Sequence, residues 1–127
     1  MHSGRIIKHH EALAESTFVP DIKVHSGVLV DSPHAQLIWA RFEPGGTYRL
    51  HKHEHDQISV VLEGRMLLTV GEETREVGPG DMWFAPAGVR HGGEILGNEA
   101  LVFVDIYVPP SATIKQFLSE HRSDPDE

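Results

Sequence analysis

Cysteine is absent from this chain. Disulfides, thiolate metal ligands and cysteine nucleophiles are therefore excluded. Basic residues are few, 11 Lys and Arg against 19 Asp and Glu, for a formal net charge of -8. Nucleic acid needs a basic face, so that class of partner is set aside. Long apolar runs are missing too: the N-terminus shows no signal-peptide core, and no stretch reaches membrane-spanning length. The expectation is a cytoplasmic protein with neither a membrane nor a nucleic-acid partner. No repeat, low-complexity linker or phosphate-cradling glycine loop is visible.

The 127 residues, 39% of them hydrophobic, suit one domain that buries a core without staples. Short runs rich in Val, Ile, Leu and aromatics alternate with turn residues, which predicts strands. They are Ile22–Asp31, Leu37–Phe42, Ile58–Leu62, Arg65–Val70, Thr74–Val77, Met82–Ala85 and Ala100–Val108. Pro44-Gly45-Gly46, Gly71-Glu72, Gly78-Pro79-Gly80, Pro86-Ala87-Gly88 and Pro109-Pro110 punctuate them. Many short strands with frequent turns predict an all-β antiparallel sandwich or barrel. One helix is expected after Ser111, a ready N-cap, because Ile114, Phe117, Leu118 and His121 recur at the helical period. It is expected to pack outside the barrel. Residues 1–20 then form an N-terminal arm and 21–110 the barrel. Residues 111–127 form the helix and an acidic tail, Ser123–Glu127, disordered by its composition.

Ten histidines are present, three of them at His51, His53 and His55. His51 and His53 alternate on an extended segment and project to one face. Imidazole suits several divalent metals equally, so the pair alone selects none.

The frame around them resembles the cupin superfamily. Gly45, five residues, His51-Lys52-His53, three residues, Gln57, six residues and Gly64 follow its first motif. Gly80, five residues, Pro86-Ala87-Gly88, two residues and His91 follow its second, although the closing asparagine is replaced by Ile95. The resemblance implies a cupin double-stranded β-helix, or jelly-roll barrel, with both motifs at one mouth. It implies one divalent ion (nickel, zinc, iron, manganese or cobalt) on His51, His53, His91 and Gln57, with Gln57 in the place of the family's carboxylate. His55 reads as a neighbour of that set or as solvent-exposed. His9, His10, His25, His34 and His121 match no motif and read as surface or structural.

A glutamine ligand is neutral, so the ion keeps its full charge and polarises oxygen more strongly. Lewis-acid chemistry is favoured over oxygen activation, and a base must come from elsewhere. Asp105 lies among apolar neighbours in Ala100–Val108, with Leu101, Phe103 and Tyr107 on its face. A carboxylate there must border a wet cavity or be held by a partner.

The run His-x-His-x-His-x-Gln-Ile, then Val-Leu-x-Gly, Pro-Gly-Asp and Val-Asp-x-Tyr-x-Pro-Pro is similar to the pectin-degradation cupins. These open unsaturated uronates into linear keto sugars. That similarity implies Asp105 and Tyr107 as catalytic groups and a homodimer. The chain departs from that pattern at Ser111, where the family has arginine, and at Ser59, where it has a second glutamine. Both fall where substrate would be gripped. A uronate carboxylate calls for an arginine fork, with Arg41, Arg49 and Arg90 as candidates. Alternation groups Arg41 with Leu37 and Trp39 and makes it the first choice. The expected function is proton transfer on a small sugar-acid-like molecule; the alternatives are a dioxygenase or lyase and a non-catalytic binding module.

Overall fold

The computed structural model describes residues 4–121. Ten strands form two antiparallel sheets. They are β1 (Thr17–Val19), β2 (Val24–Asp31), β3 (Gln36–Phe42), β4 (Tyr48–His51), β5 (Asp56–Glu63), β6 (Arg65–Val70), β7 (Glu73–Val77), β8 (Met82–Ala85), β9 (His91–Leu96) and β10 (Leu101–Val108). One sheet runs β1-β2-β3-β10-β5-β8 and the other β4-β9-β6-β7. This is the expected jelly roll, and the helix α1 (Ala112–His121) follows it. The tail expected to be disordered lies outside the described residues.

Alternation is obeyed most clearly in β5 and β10. Gln57, Ser59 and Val61 point inward beside Phe103, Asp105 and Tyr107, all of them buried. Phe103, Met66, Trp83, Phe42 and Tyr48 fill the space between the sheets. Gly64 carries φ +80°, and a Cβ there would meet the Ala100 carbonyl, so the β5–β6 turn needs a glycine.

Both faces of β10 are apolar, and part of its outer face is covered by the N-terminal residues. Ala12 joins Leu29, Trp39 and Val102 in a second cluster, with Ile7 and Leu37 against it. The arm is also tied by the Trp39 indole N–H, which donates to His9 Nδ1 at 3.2 Å, and by Arg5, which donates to the Leu29 carbonyl. β1 extends the sheet through β2, so the arm is not a separate appendage. Among the described residues no helix is long and apolar enough to cross a membrane.

The helix starts as expected: Ser111 Oγ accepts from the Ile114 N–H at 3.2 Å. Its placement differs from expectation. Leu118 joins the main core cluster and Ile114 and Phe117 pack on it, so α1 closes an inner cavity instead of resting on the barrel's outside.

Candidate metal centre

Two strand ends and one connecting turn bring the histidines together. His51 ends β4, His91 opens β9, and the two are register partners. His53 stands beyond the end of β4, so strand alternation does not place it. It is held instead by the Gly88 N–H, which donates to the His53 carbonyl at 2.8 Å. Asp56 secures the same turn by accepting from the Ala87 N–H at 2.9 Å. At Gly92 a Cβ would come within 2.6 Å of the Leu50 backbone, so only glycine lets β4 approach β9 beside His91.

The candidate ligand nitrogens of His51, His53 and His91 all lie within 4.8 Å of one another. Each Nδ1 faces a backbone carbonyl: Arg49 at 2.7 Å for His51, His55 at 2.9 Å for His53, and Val89 at 3.1 Å for His91. A carbonyl only accepts, so each Nδ1 carries the proton and each Nε2 presents a lone pair. The Nε2 atoms of His53 and His91 both stand 2.9 Å from Gln57 Oε1. The Gln57 oxygen is forced to that side because its amide nitrogen donates to Ser59 Oγ at 2.9 Å and to Asp105 Oδ1 at 3.0 Å. Burial lowers the pKa of His51, and that of His91 to about 4, so neither is charged near neutral pH. Lone pairs from imidazoles and an amide oxygen thus face one another with no donor among them. Such a donor set fits a divalent cation and no hydrogen-bond network, and the carbonyls behind the rings orient them as ligands.

Asp105 is the buried acid of the site. Register sets it opposite Ser59 and Tyr107 opposite Gln57. Ser59 Oγ donates to Asp105 Oδ1 at 2.6 Å. Burial pushes the Asp105 pKa up to about 7, against the pull of the Ser59 and Gln57 hydrogen bonds. Among the described residues no arginine pairs with it, and its donors Ser59 and Gln57 are both neutral. Tyr107 is held well above its ordinary pKa by burial and then by Asp105, so it stays a phenol. His55 stacks on His53 with ring centroids 3.8 Å apart, and packs on Tyr107 at 4.1 Å. It is therefore a neighbour of the ligand set, with burial lowering its pKa to about 4.

A cavity of 520 Å³ reaches His51, Asp105 and Tyr107 from within the barrel. A second pocket of 730 Å³ reaches His51, His53, His55 and Tyr107 from the side of the Pro109–Ile114 segment.

The expected substrate residues need correction. Arg41 lies on the outer face, where its Nε donates to Glu43 at 3.1 Å; its register partner Val102 belongs to the cluster under the arm. Alternation did group it with Trp39, but that face points away from the cavity. Arg90 is exposed and lines neither pocket. Ser59 is fully buried and spends its hydroxyl on Asp105, so it positions the acid. Arg49 borders the cavity but is itself exposed.

Tyr48 escaped sequence reasoning. Its hydroxyl lies 3.3 Å from Gln57 Nε2, the longest of that nitrogen's three contacts, and burial, then Asp105, raises its pKa. An irregularity in the β4–β9 register between Tyr48 and His51 turns both inward three residues apart. Strict alternation back from His51 selects Arg49 instead.

Comparison with known proteins bears on the fold and the family. The structure of KdgF from Halomonas sp. is 26% identical with a TM-score of 0.75, covering 88% of this chain and 99% of that one. The polyketide cyclase RemF from Streptomyces resistomycificus is 30% identical with a TM-score of 0.60, covering 69% of this chain and 68% of that one. Oxalate decarboxylase OxdC from Bacillus subtilis is 26% identical over 103 residues, covering 76% of this chain and 26% of that protein. The curated relatives are matched over only 26% to 66% of their lengths. A family model described as the cupin domain matches residues 38–107, and by that match this chain belongs to the cupin family.

Proposed function

We propose that this chain is a metal-dependent enzyme that moves a proton within a small oxygen-rich substrate, with an unsaturated sugar acid as the reference substrate. The observation that carries it is Asp105: a buried carboxyl with a pKa near 7, on the cavity wall and joined through Gln57 to the metal-binding set. A pKa near the working pH suits general acid–base transfer.

His51, His53, His91 and Gln57 hold the ion, which when bound supplies Lewis-acid polarisation of a substrate oxygen. Asp105 takes the proton from the hydroxyl on the anomeric carbon. The bond between that carbon and the ring oxygen breaks, and its electron pair stays on the ring oxygen as an enolate. A proton returned to the far carbon of the double bond completes a linear keto sugar. The reaction is an isomerisation and needs neither water nor oxidant. Tyr107 donates to a substrate oxygen, and Arg49 answers the carboxylate.

The test is turnover of unsaturated uronates by the metal-loaded protein, followed by loss of their ultraviolet absorbance. Asp105→Asn is expected to lose at least about a hundredfold in rate. His51→Ala is expected to lose the metal by elemental analysis. Absence of turnover by the wild type, or full turnover by Asp105→Asn, sinks these roles; oxygen uptake during turnover points to a dioxygenase instead.

The chain acts as a homodimer. Ile58, Phe84 and Met82, exposed at 45%, 53% and 70% on the outer face of the six-stranded sheet, support it, because isolated domains seldom leave such a patch bare. A monomer in sedimentation at working concentration removes this part.

A further inference from the structure

The cavity behind the metal centre has the wrong chemistry for a free sugar over much of its wall. Register shows how it leaves the site. Beside Asp105 on the neighbouring strand is Ile38, beside Phe103 is Ala40, and Phe42 follows, paired with Val24 on β2; Ser26, paired with Ala40, adds one buried hydroxyl to this otherwise apolar stretch. Leu118 of α1 also lines it. Val24, Ala40, Phe42, Phe103 and Leu118 belong to one packed apolar cluster. A ring carrying a hydroxyl on each carbon would leave several without partners along this stretch, which is unfavourable. An apolar group would be accommodated, and the volume of 520 Å³ is within the range of small-molecule sites.

We infer that the preferred substrate carries an apolar group, of phenyl or short-alkyl size, joined to the oxygen-bearing head that reacts at the metal. This rests on the metal centre proposed above. The head meets His51, Asp105 and Tyr107, and the apolar group runs past Ile38 and Ala40 towards Leu118. Ala40 sets the bore: it is the smallest side chain on this stretch, between the larger Ile38 and Phe42 on the same strand face. Leu118 sets the depth, so α1 acts as the back wall of a specificity pocket. A free unsaturated uronate occupies the polar portion alone.

Binding tests this without requiring turnover. Protein loaded with cobalt(II), whose ligand-field spectrum reports coordination, is titrated with acetohydroxamate and with homologues carrying longer alkyl chains or a phenylacetyl group. Each added methylene that enters the cavity is expected to tighten binding about fourfold, until the chain reaches the back wall. Ala40→Leu narrows the bore and Leu118→Trp shortens it. Each is expected to bring the ratio of long-chain to short-chain affinity towards one. The two substitutions act on opposite walls, so a folding failure in one leaves the other to decide, and the wild-type series decides alone if both fail. Equal affinity along the wild-type series, with acetohydroxamate still bound, overturns the inference while the metal centre stands. A cobalt spectrum indifferent to every hydroxamate overturns the metal centre and the inference with it.

Discussion

Replacing Gln57 by glutamate tests why this position carries an amide. The side chain is fully buried, and its nitrogen donates to Ser59 and to Asp105 at 2.9 and 3.0 Å. Gln57→Glu puts an oxygen in that nitrogen's place, about 3 Å from the Asp105 carboxylate. Two full charges at that separation repel by about 5 kcal/mol at an effective dielectric near 20. The pair avoids this by keeping one shared proton. The proton's pKa in the folded state is raised, so its contribution to stability is present at low pH and lost as pH rises. Asp105 in the wild type, at about 7, has already lost most of its own such contribution at pH 8. In the metal-free variant the loss continues upward at about 1.4 kcal/mol per pH unit for one proton. Between about pH 7.5 and about pH 9 the variant should therefore lose about 2 kcal/mol relative to the wild type, a drop in Tm of roughly 5–10 °C. Near pH 5, where the new carboxyl is protonated and can donate as the amide did, the two should melt close together. Melting of both proteins in chelator across this range is the assay. Parallel curves of Tm against pH would refute the claim that the amide exists to face Asp105.

Three further outcomes are expected. Ser59→Ala removes a hydrogen bond that lowers the Asp105 pKa, so the acid limb of the pH–rate profile should move to higher pH, at a stability cost of about 1 kcal/mol. Arg49→Gln should raise KM for an anionic substrate about tenfold or more with a smaller change in kcat, whereas Arg41→Gln, on the far face, should leave both unchanged; the reverse result would return Arg41 to the site. Metal-free Asp105→Asn protein, in which the opposing stabilisation from Asp105 at low pH is removed, should lose stability as pH falls from about 6.5 to 4, because His91 and His55, with folded pKa values of about 4, stay neutral while the unfolded chain takes up protons. A flat melting curve over that range would contradict their burial.

Much of this was legible in the residues alone. Offsets between glycines, prolines and histidines are local: a turn must fall where Gly64 or Pro86-Ala87-Gly88 falls, and the ligands ride on those turns. His51, His53, Gln57 and His91 converge as the resemblance to the cupins implied, and β6 and β8 have the bounds their patterns predicted. Alternation also sorted β10 correctly, setting Asp105 and Tyr107 on the face opposite Val102 and Val104.

What alternation leaves undetermined is which face turns inward and where the register breaks. Arg41 was assigned to the wrong side for the first reason, since Trp39 is as well buried under the arm as it would be in the barrel. Tyr48 was missed for the second, because a break in register reverses the sense of every residue before it. The duty of Gln57 towards Asp105, the work of Ser59 and the closing of the cavity by α1 all join residues far apart in the chain. Local pattern records what each residue can do, but pairing across strands and packing at the barrel's end decide what each one meets.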